Sequence, residues 1–169
     1  MVAELEKILY DDGGGFRATY INDISGLWHF HPEYELVLNI KSNGTRIVGD
    51  SVELFDQYDM VLIAGNIPHC WNYYRQNNTL PDNHGIIVNF KLESIGEALL
   101  SQHELHCLKE LLSEADRGIV FSVEDSRKAN CRSINSSRLA VIVIKSNLSF
   151  FRALLIFSTD ISVFHPLSK

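Results

Sequence analysis

Residues 28 to 40, Trp-His-Phe-His-Pro-Glu-Tyr-Glu-Leu-Val-Leu-Asn-Ile, carry two interleaved patterns that an extended strand sorts onto separate faces. Successive side chains of a strand alternate, so His29, His31, Glu33, Glu35 and Val37 share one side if the segment is a single strand. Trp28, Phe30, Tyr34, Leu36, Leu38 and Ile40 share the other, an apolar face that further elements must cover. The polar side brings two imidazoles and a carboxylate within reach of each other. A second segment, Asn66-Ile67-Pro68-His69-Cys70-Trp71-Asn72-Tyr73, groups His69 with Trp71 and Tyr73 by the same alternation and points Cys70 away.

The flanking sequence reads as a series of short strands. Phe16 to Ile21 forms a first strand after Gly13-Gly14-Gly15, and Met60 to Ala64, His69 to Tyr74 and Gly85 to Phe90 follow. Asn43-Gly44 is a hairpin signal between Glu35–Ile40 and Thr45–Val48, and Gly49-Asp50 is another before Val52–Phe55. Residues 75 to 84 form a loop. Short strands at this spacing fit a barrel or sandwich better than alternating strands and helices.

Helical patterning takes over after Phe90. Ser94-x-x-Glu97 and Ser101-x-x-Glu104 have capping-box spacing, and Leu105, Leu108, Leu111, Leu112 and Ala115 make an apolar stripe closed by Gly118. A stripe of that width must be buried, against the barrel's outer face or a partner subunit. In the last 44 residues, Leu139 to Ile144 is strand or helix core, and Leu148, Phe151 and Leu155 fit a helix face.

A chain of 169 residues with 46% apolar content sustains one domain. Its net charge of −6 is unevenly spread: residues 1–125 carry −12 and residues 126–169 carry +6. The acidic part argues against general nucleic-acid binding. The basic tail, with Arg127, Lys128, Arg132 and Arg138, shows no recognition helix, so no direct nucleic-acid binding by this chain is expected. Cys70, Cys107 and Cys131 are an odd, scattered set that suits a reducing compartment. The acidic N-terminus lacks a signal-peptide core and no run approaches the ~18 apolar residues of a membrane span. A cytoplasmic protein without membrane contact is the expectation.

Residues from about Phe16 to Phe121 resemble a cupin barrel, and specifically the N-terminal effector-binding domain of AraC-type transcriptional regulators. The stretches that carry the resemblance are WHFHPEYELVLNIKSNGTRIVGD, YDMVLIAGNIPHCW and HGIIVNFKLESIGEALL. His29, His31 and Glu35 match the cupin His-x-His-x3-Glu pattern, and Pro68-His69 ends the family's second pattern. Tyr58 replaces the glycine usual before Asp59, which alters one turn. The resemblance implies a mainly β fold, a cupin-type double-stranded β-helix (jelly-roll barrel) followed by C-terminal α-helices. Residues 1–121 are the barrel with its first helices, and 122–169 are a helical or irregular, linker-like tail. The family's helix-turn-helix region is absent from the sequence, which implies a truncated or trimmed chain or a tail read in a shifted frame.

Three histidines and one carboxylate, His29, His31, Glu35 and His69, suit a divalent transition metal such as Ni, Fe, Mn, Zn or Cu. The same four residues can instead hydrogen-bond one another, backbone or an organic effector. Trp71 is a further ligand-binding candidate, because its ring can stack on a sugar or an aromatic acid; Tyr73 reads as ordinary core. Arg17 could reach a polar ligand from the first strand but reads more simply as a solvated surface arginine, and Glu33 shares the pocket parity but follows Pro32, which leaves its facing open. The resemblance implies a non-catalytic, ligand-sensing and dimerising domain that binds a small-molecule effector and forms a homodimer. A metal-dependent cupin enzyme of dioxygenase type is the alternative.

Overall fold

The computed structural model describes residues 2–10, 15–21, 26–74, 84–103, 106–122 and 162–163. These residues are mainly β, and the strands are numbered along the chain. One sheet has the order β1 (Glu4–Leu5), β3 (His29–Phe30), β8 (His69–Tyr73), β5 (Gly44–Val48) and β6 (Ser51–Phe55). The other has the order β10 (Ile119–Val120), β7 (Tyr58–Ile63), β4 (Tyr34–Ile40), β9 (His84–Phe90), β2 (Phe16–Ile21) and β11 (Ser162–Val163). Helices α1 (Leu92–Ile95), α2 (Glu97–Leu100) and α3 (His106–Glu114) follow β9, and a 3-10 turn at Ala115–Arg117 ends α3. Among the described residues no helix is long and apolar enough to cross a membrane.

The two sheets face each other across an apolar layer of Val37, Val61 and Ile63 from the second sheet and Val48, Phe55 and Trp71 from the first. Strand β4 is the centre of the second sheet, paired antiparallel with β7 and β9, and is covered on both sides. Its odd residues Glu35, Val37 and Asn39 turn inward. Its even residues Leu36, Leu38 and Ile40 turn outward into a second cluster with Met60, Leu62, Ile86, Val88 and Phe90. Leu108, Leu112 and Ala115 of the α3 segment cover that outer face. Each such apolar side chain contributes about 1.5–3 kcal/mol on burial. Every described residue of the expected stripe therefore packs on the chain's own sheet, with Leu111 partly buried against the same cluster, and Leu108 and Leu112 are not an exposed surface for a second copy.

Residues 28 to 40 are not one strand. The chain leaves β3 at Phe30, turns through His31, Pro32 and Glu33, and enters β4 in the opposite sheet. Pro32 cannot donate a ladder hydrogen bond, so the strand breaks there. The corner is held by Asn66, whose N–H donates to the His31 carbonyl at 2.7 Å, and by Gly65, where a Cβ would lie 2.1 Å from the Pro32 carbonyl oxygen.

Asn43-Gly44 likewise joins the two sheets instead of closing a hairpin. Strand β4 pairs with β7 and β9 while β5 pairs with β6 and β8. The left-handed residue of that connection is Lys41, and Gly44 is required because a Cβ would meet the Asn72 carbonyl oxygen at 2.1 Å. Gly49-Asp50 does close a two-residue hairpin, with Val48 opposite Ser51. The left-handed residue of the turn before Tyr58 is Gln57.

The described serines of the two expected capping boxes do not stand as helix caps, and Glu104 lies outside the described residues. Ser94 lies inside α1, whose N-cap is Lys91, and the Ser101 hydroxyl donates back to the Ala98 carbonyl. Gly118 does end the helical segment, with φ of 71° and its N–H on the Ala115 carbonyl. The 75–83 part of the expected loop, Leu105, and the tail segments 139–144 and 148–157 lie outside the described residues.

Candidate functional site

The four motif residues converge between the sheets even though they come from three strands and a corner. His29 and His69 are direct cross-strand partners in β3 and β8. His31 stands on the corner and Glu35 faces them from β4 in the other sheet. The Nε2 atom of His31 lies 2.9 Å from Glu35 Oε2, and that of His69 lies 3.4 Å from Glu35 Oε1. His29, His31 and His69 each offer a ligand atom, and those atoms lie within 4.8 Å of one another. His31, Glu35 and His69 are buried, and His29 is half-buried toward the surface.

Backbone carbonyls fix how each imidazole is turned. Nδ1 of His29 donates to the Leu27 carbonyl at 2.8 Å, that of His69 to the Ile67 carbonyl at 2.8 Å, and that of His31 to the Glu33 carbonyl at 3.1 Å. A carbonyl oxygen only accepts, so each Nδ1 carries its proton and each neutral ring presents an Nε2 lone pair to the site. The tautomer of a metal-ligating histidine is fixed in the same way, by an acceptor on the other ring nitrogen.

Those lone pairs face carboxylate oxygens, and two acceptors do not attract. A cation must lie between them, as protons that charge the rings or as a metal ion. The electrostatics express the same demand. Burial weighs against a charged His31, yet the hydrogen bond and charge of Glu35 raise its pKa above the ordinary imidazole value. Burial also opposes a charged His29, and Glu6, the Leu27 carbonyl and Glu35 together raise it. Burial alone would push Glu35 up, but the hydrogen bond from His31 and the nearby ring of His69 hold it well below the usual carboxylate range. The rings stand close together: centroids of His29 and His69 are 4.3 Å apart, and those of His31 and His69 5.2 Å. One divalent ion placed among them would satisfy these contacts at once.

Three polar residues of the site carried no motif. Asn89, opposite Glu35 in the β4–β9 register, donates from Nδ2 to Glu35 Oε2 at 2.7 Å. Its only sequence signal is a lone amide at inward parity in the apolar run Ile-Ile-Val-Asn-Phe. Glu6, beside the short strand β1, places Oε2 3.0 Å from His29 Nε2. Glu33, whose facing the sequence left open, is buried beside His31, its Oε2 3.8 Å from His31 Nδ1.

Trp71 lies in the inter-sheet core at 2% exposure. Its indole N–H donates to Asp59 Oδ2 at 3.2 Å, and its ring meets His69 edge-on, with centroids 5.8 Å apart. Asp59 also pairs with Arg46, which reaches Glu53 as well. Tyr73 donates to Asn39 and packs against Phe55. No family model matches the chain, and no curated protein matches it at a significant level.

Proposed function

We propose that the chain is the effector-sensing domain of an AraC-type transcriptional regulator, a cupin-type jelly roll whose inner pocket holds a divalent transition metal. The observation that carries the metal is the common orientation of the three imidazoles, each with Nδ1–H on a backbone carbonyl and Nε2 turned toward carboxylate oxygens. His29, His31, His69 and Glu35 would hold the ion. His69 Nε2, buried and without a hydrogen-bond partner among the described residues, is the donor most in need of one.

A bound ion would supply a Lewis-acid anchor for a donor atom of a small effector such as a sugar or an aromatic acid. The protein's own part is to hold the donors in place: the three carbonyls fix the rings, and Asn89 fixes the rotation of Glu35. The regulator reading rests on the resemblance over residues 16 to 121 and is supported by two facing sheets with helices over an outer face. Pairing of two copies belongs to the same reading. Its contact is sought away from Leu108 and Leu112, which the chain's own sheet already covers.

The test is metal analysis of protein purified without a histidine tag, followed by titration of the stripped protein with Ni, Fe, Mn, Zn and Cu. Stoichiometric binding that His31→Ala abolishes supports the reading, and no binding by the wild-type chain rejects it. Thermal shift with sugars and aromatic acids on the loaded protein then tests sensing. Catalytic turnover of such a compound would favour the enzyme alternative.

A further inference from the structure

Of the residues around the site, Glu6 stands in a position that no motif requires. The strand just before it is a short addition to the sheet edge: β1 runs parallel to β3, with Glu4 opposite His29 and Leu5 opposite Phe30. The backbone holds this segment on both sides of the pairing. Glu4 N–H donates to the Trp28 carbonyl at 3.0 Å and Glu6 N–H to the Phe30 carbonyl at 2.9 Å. Glu6 thereby reaches the half-buried side of the cluster, with Oε2 3.0 Å from His29 Nε2.

His29 has one nitrogen to give. Its Nδ1–H is committed to the Leu27 carbonyl, so its Nε2 is the donor for any ion, and this is the atom that Glu6 faces. The contact repeats the one between His31 and Glu35, where Nε2 and Oε2 are 2.9 Å apart. Two donors bound to one ion at ~2.1 Å, with bonds near a right angle, lie about 3 Å apart. Each carboxylate therefore stands at the separation of a neighbouring ligand from one imidazole, Glu6 from His29 and Glu35 from His31.

We propose that Glu6 is a fifth metal donor, so that the site comprises three imidazole nitrogens and two carboxylates. This rests on the metal reading above and deepens it in two respects. Five nitrogen and oxygen donors select an ion that accepts five or six ligands, Mn, Fe, Co or Ni, over one held in a closed tetrahedron. The fifth donor also ties the N-terminal strand to the ion, so loading the metal locks β1 onto β3. Glu6 closes the outer side of the cluster, and an effector must take a remaining position on the ion.

The experiment uses the full chain, stripped and reloaded with Co(II), whose visible absorption is weak in five- or six-coordination and intense in a tetrahedron. Wild type is expected to give the weak band. Glu6→Gln and Glu6→Ala are expected to bind Co(II) and Mn(II) at least tenfold more weakly, and Glu6→Ala to shift the spectrum toward fewer ligands. Hydrogen exchange of residues 4–6 slows on metal loading in the wild type and not in Glu6→Ala. Because Glu6 is half exposed, both variants should fold, and an unchanged circular dichroism spectrum checks this. Binding by the variants equal to or tighter than wild type overturns the proposal while leaving the metal reading intact. Failure of the wild type to bind any ion overturns both, and loss of metal in His31→Ala with none in the Glu6 variants assigns the ion to the inner four residues alone.

Discussion

The Nε2 atom of His31 and the Oε2 atom of Glu35 lie 2.9 Å apart although their backbones belong to a corner and to the strand beyond it. Asn89 donates to the same oxygen from the neighbouring strand, so Glu35 is gripped from two directions. This divides the site into residues that would hold an ion and one that aims a holder. His31→Ala should abolish metal occupancy, because an open site loses affinity with each ligand removed. Asn89→Ala leaves every donor in place and should weaken affinity about 10–100-fold. Equilibrium metal titration of both variants checks the order of the two effects. An Asn89 variant as impaired as the His31 variant would make the amide part of the binding set itself.

The His/Glu set was legible in the sequence because residue type and close spacing carry it, and two segments were enough to name all four members. The backbone that brings them together was not. A period-2 pattern runs through Pro32 without interruption, whereas the strand ends there and His29 goes to a different sheet from Glu35. The signal Asn43-Gly44 says that the chain turns but does not say whether the next strand joins the same sheet. Asn89 and Glu6 reach the site through pairings with strands far from them in sequence, which no local window contains. The α3 stripe was legible as a buried face, and its partner, the even-numbered face of β4, was visible as an apolar face needing cover.

Leu112 lies at 4% exposure between α3 and the outer face of the second sheet. Leu112→Ala should destabilise the fold by about 2–5 kcal/mol, the usual cost of a truncated core leucine. Denaturant unfolding measures it, and sedimentation on the same samples should show an unchanged assembly state. A change of assembly without loss of stability would return Leu112 to an interface between copies.

Trp71 serves the fold through its N–H as well as its ring. Trp71→Phe keeps an aromatic body in the core and removes the donor to Asp59, leaving that buried carboxylate oxygen without its partner. A cost of about 1–3 kcal/mol follows, with metal affinity retained because Trp71 offers the cluster no ligand atom. Thermal melts and metal titration of the variant check both parts. A selective loss of effector response at full stability would restore Trp71 as a stacking residue.

The pH dependence of stability should differ between the metal-free and the loaded protein. In the metal-free protein His29 and His31 have raised pKa values, so their contribution is fully present below the unfolded imidazole value of ~6.5 and is lost as pH rises through the folded values. Glu35 is depressed, so its contribution is present above the unfolded carboxylate value of ~4.3 and is lost as pH falls toward the folded one. Together they place the cluster's greatest stabilisation at mildly acid pH, between about 4.3 and 6.5. A metal ion replaces the imidazole protons, and because the histidines hold those protons more tightly than free imidazole, affinity should fall on acidification from above ~6.5. The loaded protein should therefore melt highest at neutral to mildly alkaline pH. Thermal melts from pH 4 to 9 with and without metal check this; a metal-free optimum on the alkaline side would mean that protons do not bridge the imidazole and carboxylate pairs.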